Sequence, residues 1–411
     1  MQTPRILAAI AAGLIACTAF MSCPQLEGIA PAHAQKLTEV RKKGERRTQP
    51  SKAAPKEQQE RSSFTVEEEN AAVIPGIANA RIWGDSASDF ARLLPTATGP
   101  WLAISGGGSD GAFGAGLLTG WSESGTRPEF SVVTGVSIGA LIAPFAFLGS
   151  RYDEEVHKNF TTIGAADIFE DRITRDSLFD YWPLKRLIEH RVTPQLLSEI
   201  ASEHTRGRRL FIVTTNLDAG RRMVWNMGAI AARGDENALK LFRQILLASS
   251  SIPGFFSPVA IEVEANGKKF SELHSDGTLT SPFFVMPEAM LWAGGTARAP
   301  IAQLYVIVNS KLGPEFKITD RSIAGVLARS IGVALTAALR AEIMLVHAGL
   351  QRQGIGLRIA SVDDAFDHPS RGPFDGKYMQ ALYEFGVAAG KKSNAFGDGL
   401  PEFSMRKSNS Q

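Results

Sequence analysis

A pentapeptide, Gly135-Val136-Ser137-Ile138-Gly139, sits where an apolar strand-like run, Phe130-Ser131-Val132-Val133-Thr134, meets a helical stretch, Ala140–Phe145. Strand, sharp turn and helix in that order form a nucleophile elbow, which lifts a serine Oγ clear of a sheet edge. Gly135 and Gly139 flank the serine because such a turn brings the backbone and the following helix too close for a Cβ. Shortly before it lies a glycine run, Ser105-Gly106-Gly107-Gly108-Ser109-Asp110-Gly111, after the apolar segment Trp101–Ile104. Its backbone N–H groups are candidates to hold an oxyanion. Together the two elements are the parts of a serine acyl hydrolase.

The glycine run has rivals. Gly106, Gly108 and Gly111 satisfy G-x-G-x-x-G after a strand, and Glu129 follows 18 residues beyond Gly111, so a dinucleotide fold is a formal candidate. That reading leaves Ser137 unused. A phosphate-binding P-loop fails, because no Gly-Lys-Ser/Thr follows. Taken alone, Gly135–Gly139 also fits an ordinary glycine-bounded turn. One fold explains both elements at once.

At this point the chain resembles the patatin-like phospholipases. The family's oxyanion loop is a triple glycine before a helix, matched by Gly106-Gly107-Gly108 and continuing to Gly111 and Gly116; its elbow matches Gly135–Gly139. Its second catalytic residue is an Asp in an Asp-Gly turn, matched by Asp276-Gly277, and a further block runs Ala248-Ser249-Ser250-Ser251 to Val259. The four blocks follow the family's order across roughly residues 100 to 285. Two positions depart from it. Asp110 stands where the family usually has Arg or Lys, which removes cationic help to the oxyanion. Thr278 follows Asp-Gly where Gly or Ala is common.

The resemblance implies a Ser137–Asp276 dyad and an oxyanion hole from Gly106, Gly107, Gly108 and Gly111. Serine must lose its proton as it attacks, so a base has to stand within hydrogen-bond reach. A free Asp titrates near ~3.9 and is a feeble base; burial beside an acyl groove would raise it. Asp110 is expected to cap the following helix with its carboxylate turned away from the oxyanion. Read from the residues alone, Asp-Gly is also a common turn. An α/β-hydrolase triad, in the order Ser, Asp, His, stays open through His368 or His347. His274, two residues before Asp276, shares its face on a strand and is placed beside the site rather than as base. No His, Cys or carboxylate cluster has metal-ligand spacing, and neither a metal nor a cofactor is expected.

The N-terminus reads as an export signal: one cation at Arg5, then an uncharged apolar stretch from Ile6 to Ala16. Leu14-Ile15-Ala16-Cys17 resembles a bacterial lipobox, with Cys17 the lipidation candidate; cleavage after Ala32-His33-Ala34 is the rival. A transmembrane anchor ranks third, since Ile6–Met21 falls short of the ~20 residues a span needs. The expected location is the bacterial cell envelope, as a lipoprotein or as a periplasmic or secreted protein. Residues 35 to about 70 mix cations with Glu, Gln, Ser and Pro and bury too little to fold. Such a segment is most simply a solvated linker, with attraction to anionic head groups as its functional alternative. A net charge of +2 and no basic–aromatic pattern argue against nucleic acid as a partner. No protein partner is indicated; an acyl lipid and a membrane surface are.

Strand-like Leu210–Asn216, Gln303–Ser310 and Gly356–Val362 alternate with helical Leu239–Ala248, Ser322–Leu350 and Tyr378–Ala389. That alternation predicts an α/β fold with a mostly parallel central sheet between helix layers, three layers in all. The long helix's Ile323, Val326, Leu327, Ile331, Val333, Leu335 and Leu339 are read as core packing. Phe255-Phe256 and Pro282–Val285 are read equally as core or acyl-channel lining. The expected organisation is a signal over 1–34, a tether and lead-in over 35–94, a patatin-like catalytic domain over 95–395 and a polar tail over 396–411. The expected function is hydrolysis of carboxylic esters of phospholipids or related acyl lipids through an acyl-enzyme on Ser137. A binding or scaffold protein that has kept the fold without activity is the alternative of a different class.

Overall fold

The computed structural model describes residues 61–401, apart from 175, 293–298 and 317. The expected export signal, the lipidation candidate Cys17 and most of the expected tether lie outside the described residues. In chain order the elements are α1 (Val66–Ala71), β1 (Arg81–Trp83), α2 (Ala87–Leu93), β2 (Gly99–Ile104), α3 (Gly111–Glu123), β3 (Val132–Val136) and α4 (Ile138–Leu148). Then come α5 (Asp153–Thr161), α6 (Ala165–Ile168), α7 (Trp182–Arg191), α8 (Pro194–Thr205), β4 (Arg209–Asn216), β5 (Arg221–Asn226), α9 (Met227–Arg233) and α10 (Glu236–Ser249). The last group is β6 (Val259–Ala265), β7 (Lys268–Asp276), α11 (Glu288–Trp292), β8 (Ile301–Val308), α12 (Ile323–Gln353), β9 (Gly356–Ser361), α13 (Gly376–Gly390) and β10 (Gly397–Asp398).

One sheet runs β1-β5-β4-β3-β2-β8-β9-β10, with β7 also pairing β4 and carrying β6. Its centre, β4-β3-β2-β8-β9, is parallel. The β1, β5, β7, β6 and β10 pairings are antiparallel. The central strands are apolar on both faces, as parallel strands covered on both sides must be. Leu102 and Ile104 of β2 enter one core with Val133, Leu210 and Ile212, against α3, α4 and α10. Trp101 and Ala103 enter the other with Val132, Phe211 and Val213, against α2 and the second half of α12. Alternating side chains of the same strands thus feed two cores, and the three layers follow.

The folded region begins earlier and ends later than the sequence suggests. Thr65 caps α1 through a capping box with Glu68, and β1 pairs with β5, so residues 65–94 are not tether. The tether reading failed there because Phe64, Ile74 and Ile82 supply apolar contacts too widely spaced to show a period; Phe64 stacks on Phe270. At the other end Phe396 packs on Trp121 and β10 pairs with β9, so residues 396–398 belong to the domain.

The long helix departs most from expectation. Leu339, Ile343, Val346 and Leu350 are buried, but Ile323, Val326, Leu327 and Val333 are exposed, and core packing accounts only for the second half. By length and composition, Gly325–Gln353 could cross a membrane. Phe283, Phe284 and Val285 are fully buried in the second core, and Phe256 in the first, with Phe255 stacked on Phe179; these residues resolve as packing.

Candidate active site

The parallel centre brings together the ends of four strands. β2 and β3 pair with Ile104 opposite Gly135, β3 and β4 with Val136 opposite Val213, and β4 and β7 with Thr214 opposite Asp276. The glycine loop, the elbow and Asp276 therefore emerge side by side, although 139 residues separate the serine from the aspartate. The carboxyl ends of the parallel strands are where open α/β sheets place their ligands.

Ser137 stands at φ 55°, ψ −125°, a conformation that L-residues rarely hold without a surrounding that enforces it. The enforcement is visible. A Cβ on Gly135 would lie 2.5 Å from the Gly139 carbonyl oxygen, and one on Gly139 would lie 2.6 Å from that of Ser105. Ser137 N–H donates to Ser249 Oγ at 3.0 Å, and Ser249 in turn donates to the Val213 carbonyl at 2.7 Å. The serine block that precedes Pro253 thus buckles the elbow to the sheet. It also holds the aspartate strand: Ser275 Oγ donates to the Ser251 carbonyl at 2.6 Å and Asp276 N–H at 2.9 Å.

Ser137 Oγ donates to Asp276 Oδ2 at 2.6 Å. The other carboxylate oxygen accepts from Thr278 twice, from its N–H at 2.9 Å and its hydroxyl at 2.7 Å. Thr215 Oγ1 fixes the Asp276 carbonyl at 2.9 Å. Asp276 is buried, and loss of solvent pushes its carboxyl up to about 6, against the opposing pull of the bonds from Ser137 and Thr278. A base with that value is mostly ionised at neutral pH yet far stronger than a free carboxylate.

The glycine loop divides into committed and free donors. Gly106 approaches the elbow so closely that its Cβ would lie 3.1 Å from Ser137 Cβ, but its own N–H donates to the Pro282 carbonyl at 3.1 Å. Gly111 N–H is taken by the carbonyls of Gly108 and Ser109 in the turn that opens α3. The four-glycine oxyanion hole is therefore corrected. Gly106 serves close approach and Gly111 serves the helix start, leaving Gly107 and Gly108 as the glycine donors, with Gly108 at φ 57°. Asn309, just past β8, braces this loop: its N–H donates to Ser105 Oγ, its amide to the Ser105 carbonyl, and its Oδ1 accepts from Gly114 N–H.

Asp110 makes no capping bond; it accepts from Tyr378 Oη at 2.8 Å instead, turned toward α13. Burial pushes its carboxyl up to about 6 as well, with the Tyr378 bond pulling the other way. Among the described residues no histidine bonds to Ser137 Oγ or to the Asp276 carboxylate. His347 sits half-buried on α12, and exposed His368 bonds the Pro369 carbonyl. His274 is fully buried, with Nδ1 2.9 Å from Thr214 Oγ1 and Nε2 3.1 Å from Glu272 Oε2, so it lies beneath the site and lines no open space. Arg81 pairs with Glu272 from β1. Trp225 Nε1 donates to Thr214 Oγ1 at 2.8 Å. One consistent chain of donors results: Trp225 to Thr214, Thr214 to His274 Nδ1, and His274 Nε2–H to Glu272, with a neutral imidazole. Desolvation holds His274 below its ordinary value, which agrees with that tautomer. Among the described residues no group of three or more His, Cys, Asp or Glu is placed to hold a metal ion.

Sequence reasoning missed Ser249 and Arg81, and noted Thr278 only as a departure from the family pattern. Ser249 had a signal, its place in the fourth family block; Arg81 had none.

The model of the patatin-like phospholipase family matches residues 102–288, a range that holds the glycine loop, the elbow, Ser249 and Asp276. Among solved structures, the crystal structure of VipD from Legionella pneumophila is similar at 12% identity and a TM-score of 0.31, over 72% of this chain and 66% of VipD, just under two thirds of that chain. None of the curated proteins matches. Residues 102–288, somewhat under half of the chain, are similar to a patatin-like phospholipase domain.

Proposed function

We propose that this protein is a serine lipid acyl hydrolase that cleaves carboxylic esters of phospholipids or related acyl lipids through an acyl-enzyme on Ser137. The observation that carries this reading is the 2.6 Å bond from Ser137 Oγ to a buried Asp276, beside Gly107 and Gly108. Ser137 Oγ attacks the acyl carbonyl and Asp276 Oδ2 takes its proton. The oxyanion accepts from the N–H groups of Gly107 and Gly108 near the start of α3, where the dipole also favours negative charge. Collapse expels the alcohol, which receives the proton from Asp276, and leaves the acyl group on Ser137. Water then attacks the acyl-enzyme ester, losing its proton to Asp276; the acyl–Oγ bond breaks, Asp276 returns that proton to Ser137 Oγ, and the fatty acid leaves. Two steps with one base replace a single difficult displacement.

Export to the cell envelope, with Cys17 carrying lipid, is part of the same proposal and rests on the N-terminal pattern alone. Intact-mass analysis of the mature protein decides it: a lipid-bearing chain starting at Cys17 supports it, and an unmodified chain starting at Gln35 overturns it. For the chemistry, purified mature protein is given phosphatidylcholine and phosphatidylglycerol vesicles alongside p-nitrophenyl butyrate. Release of fatty acid by wild type and none by Ser137→Ala is expected. A protein that turns over the soluble ester but no lipid contradicts the substrate assignment, and activity that survives in Ser137→Ala contradicts the nucleophile.

A further inference from the structure

Among the described residues, nothing covers Ile323, Val326, Leu327 and Val333 in the first half of α12. β8 and β9 are parallel, so the helix between them returns antiparallel to both and starts at the sheet edge where Ser137 lies. Its end is pinned at the opposite edge, because Gly356, three residues past Gln353, pairs with Gln303. Arg340 Nε donates to the Leu312 carbonyl at 2.7 Å, four residues past the end of β8, and marks the level of the active edge. Residues 323–338 lie on the N-terminal side of that level, a length of about 24 Å at ~1.5 Å per residue.

This stretch is apolar on its outward side. At 3.6 residues per turn, Ile323, Val326, Leu327, Val333, Ala337 and Met344 share one sector, opposite the buried ridge Leu339–Ile343–Val346–Leu350. A soluble surface helix puts charge in that sector. Here the internal charges turn inward: Arg329 donates to the Glu315 carbonyl at 2.7 Å, Arg340 to Leu312, and Glu342, raised by burial, feels Arg222. Exposed Arg321 precedes the strip, while Arg352, over the ring of Trp292, lies at the far end of α12 by the opposite edge. Phe316 and Ile318, in the loop that leads from the active edge into the helix, are 86% and 85% exposed. Leu279, three residues past Asp276, is also exposed. The apolar surface is thus continuous in sequence with the loops that build the site.

An apolar helix face that begins just past a guanidinium matches a bilayer surface, with side chains in the hydrocarbon and the cation at anionic head groups. We infer that exposed Phe316 and Ile318 and the exposed apolar face of the first half of α12 form a membrane-docking element that seats in a phospholipid surface and presents the Ser137 edge to it. The inference rests on the lipid-hydrolase reading for its purpose, though not for its test.

The test is hydrogen exchange on the full chain with and without vesicles of phosphatidylcholine and phosphatidylglycerol. Peptides within 316–338 should exchange at least tenfold more slowly with vesicles, while the β2 and β3 peptides stay unchanged. The triple variant Val326→Asp, Leu327→Asp, Val333→Asp should lose that protection. Its changes are confined to exposed side chains, so its melting temperature and p-nitrophenyl butyrate turnover should match wild type. Its hydrolysis of vesicle lipid should fall at least tenfold. Unchanged exchange in 316–338 on adding vesicles overturns the inference. Protection that rises with protein concentration before any lipid is added also overturns it, and assigns the face to a second copy. Protection already complete in dilute protein overturns it in favour of a segment of this chain. Vesicle-dependent protection without lipid hydrolysis keeps the docking element and removes the lipid-hydrolase reading.

Discussion

Asp276 and His274 lie two residues apart on β7, both wholly buried and both shifted by desolvation, yet they belong to different regions with different tasks. His274 spends both ring nitrogens, on Thr214 and Glu272, inside a closed chain that reaches Arg81 and Trp225. Asp276 keeps one oxygen for Thr278 and gives the other to Ser137 at the open edge. Burial raises a carboxylate and lowers an imidazole, so the same environment strengthens one base and weakens the other. Nearness to a nucleophile along the strand is therefore not what makes a base; an unspent acceptor facing the serine is.

The comparison breaks most directly by mutation. Asp276→Asn should cost about 10²–10⁴ in kcat, the usual worth of a positioned base, and Ser137→Ala at least as much. His274→Ala, assayed at a temperature where the variant is folded, should stay within about threefold. If His274→Ala matches Asp276→Asn in kcat while remaining folded, the two-region account fails.

The closed network should instead show in stability. Arg81→Ala leaves Glu272 buried without its cation, and such a loss typically costs about 3–5 kcal/mol. Chemical denaturation reads it. A shift under about 1 kcal/mol would mean that water reaches the site and the network is not closed.

The pH response sharpens the Asp276 side. As a base it acts only when ionised, so kcat/KM should fall about tenfold per unit as pH drops below about 6. Stability follows the opposite course. The folded pKa lies above the unfolded one, so the native state holds more protons between about pH 4 and 6 and is destabilised as pH rises through that window. Asp276→Asn lacks this loss, and its stability relative to wild type should climb from pH 4 to 6.

The smallest effects concern orientation and rival histidines. Thr278→Val removes the 2.7 Å donor to the ionised carboxylate, so the acid limb should move to higher pH and kcat should drop several-fold, a net hydrogen bond being worth about 1 kcal/mol. His368→Ala and His347→Ala should each stay within about twofold in steady-state assays.

What the sequence made legible follows the same division. The central strands were readable because a doubly covered parallel strand is an unbroken apolar run, as in Leu210–Val213. Ser137 and Asp276 were readable because their turns need glycines at fixed offsets. β7 was not, since Lys-Lys-Phe-Ser-Glu-Leu-His-Ser-Asp puts Glu272 and His274 at buried positions that only Arg81, 191 residues away from Glu272, makes tolerable. The loop donors were misassigned because glycine spacing does not tell which N–H a carbonyl such as that of Pro282 will take. On α12 the apolar period reads the same along the whole helix, and only the burial of Leu339, Ile343, Val346 and Leu350 against the exposure of Ile323, Val326, Leu327 and Val333 separates its halves.

The central claim is that Ser137 carries the acyl group with Asp276 as its base. Incubation with a fluorophosphonate at pH 7.5 and at pH 5, followed by peptide mass mapping, tests it most directly. The account predicts a single adduct on Ser137, formed roughly tenfold more slowly at pH 5 and nearly absent in Asp276→Asn. An adduct on another residue, or labelling of Ser137 that ignores both pH and the loss of Asp276, would contradict it.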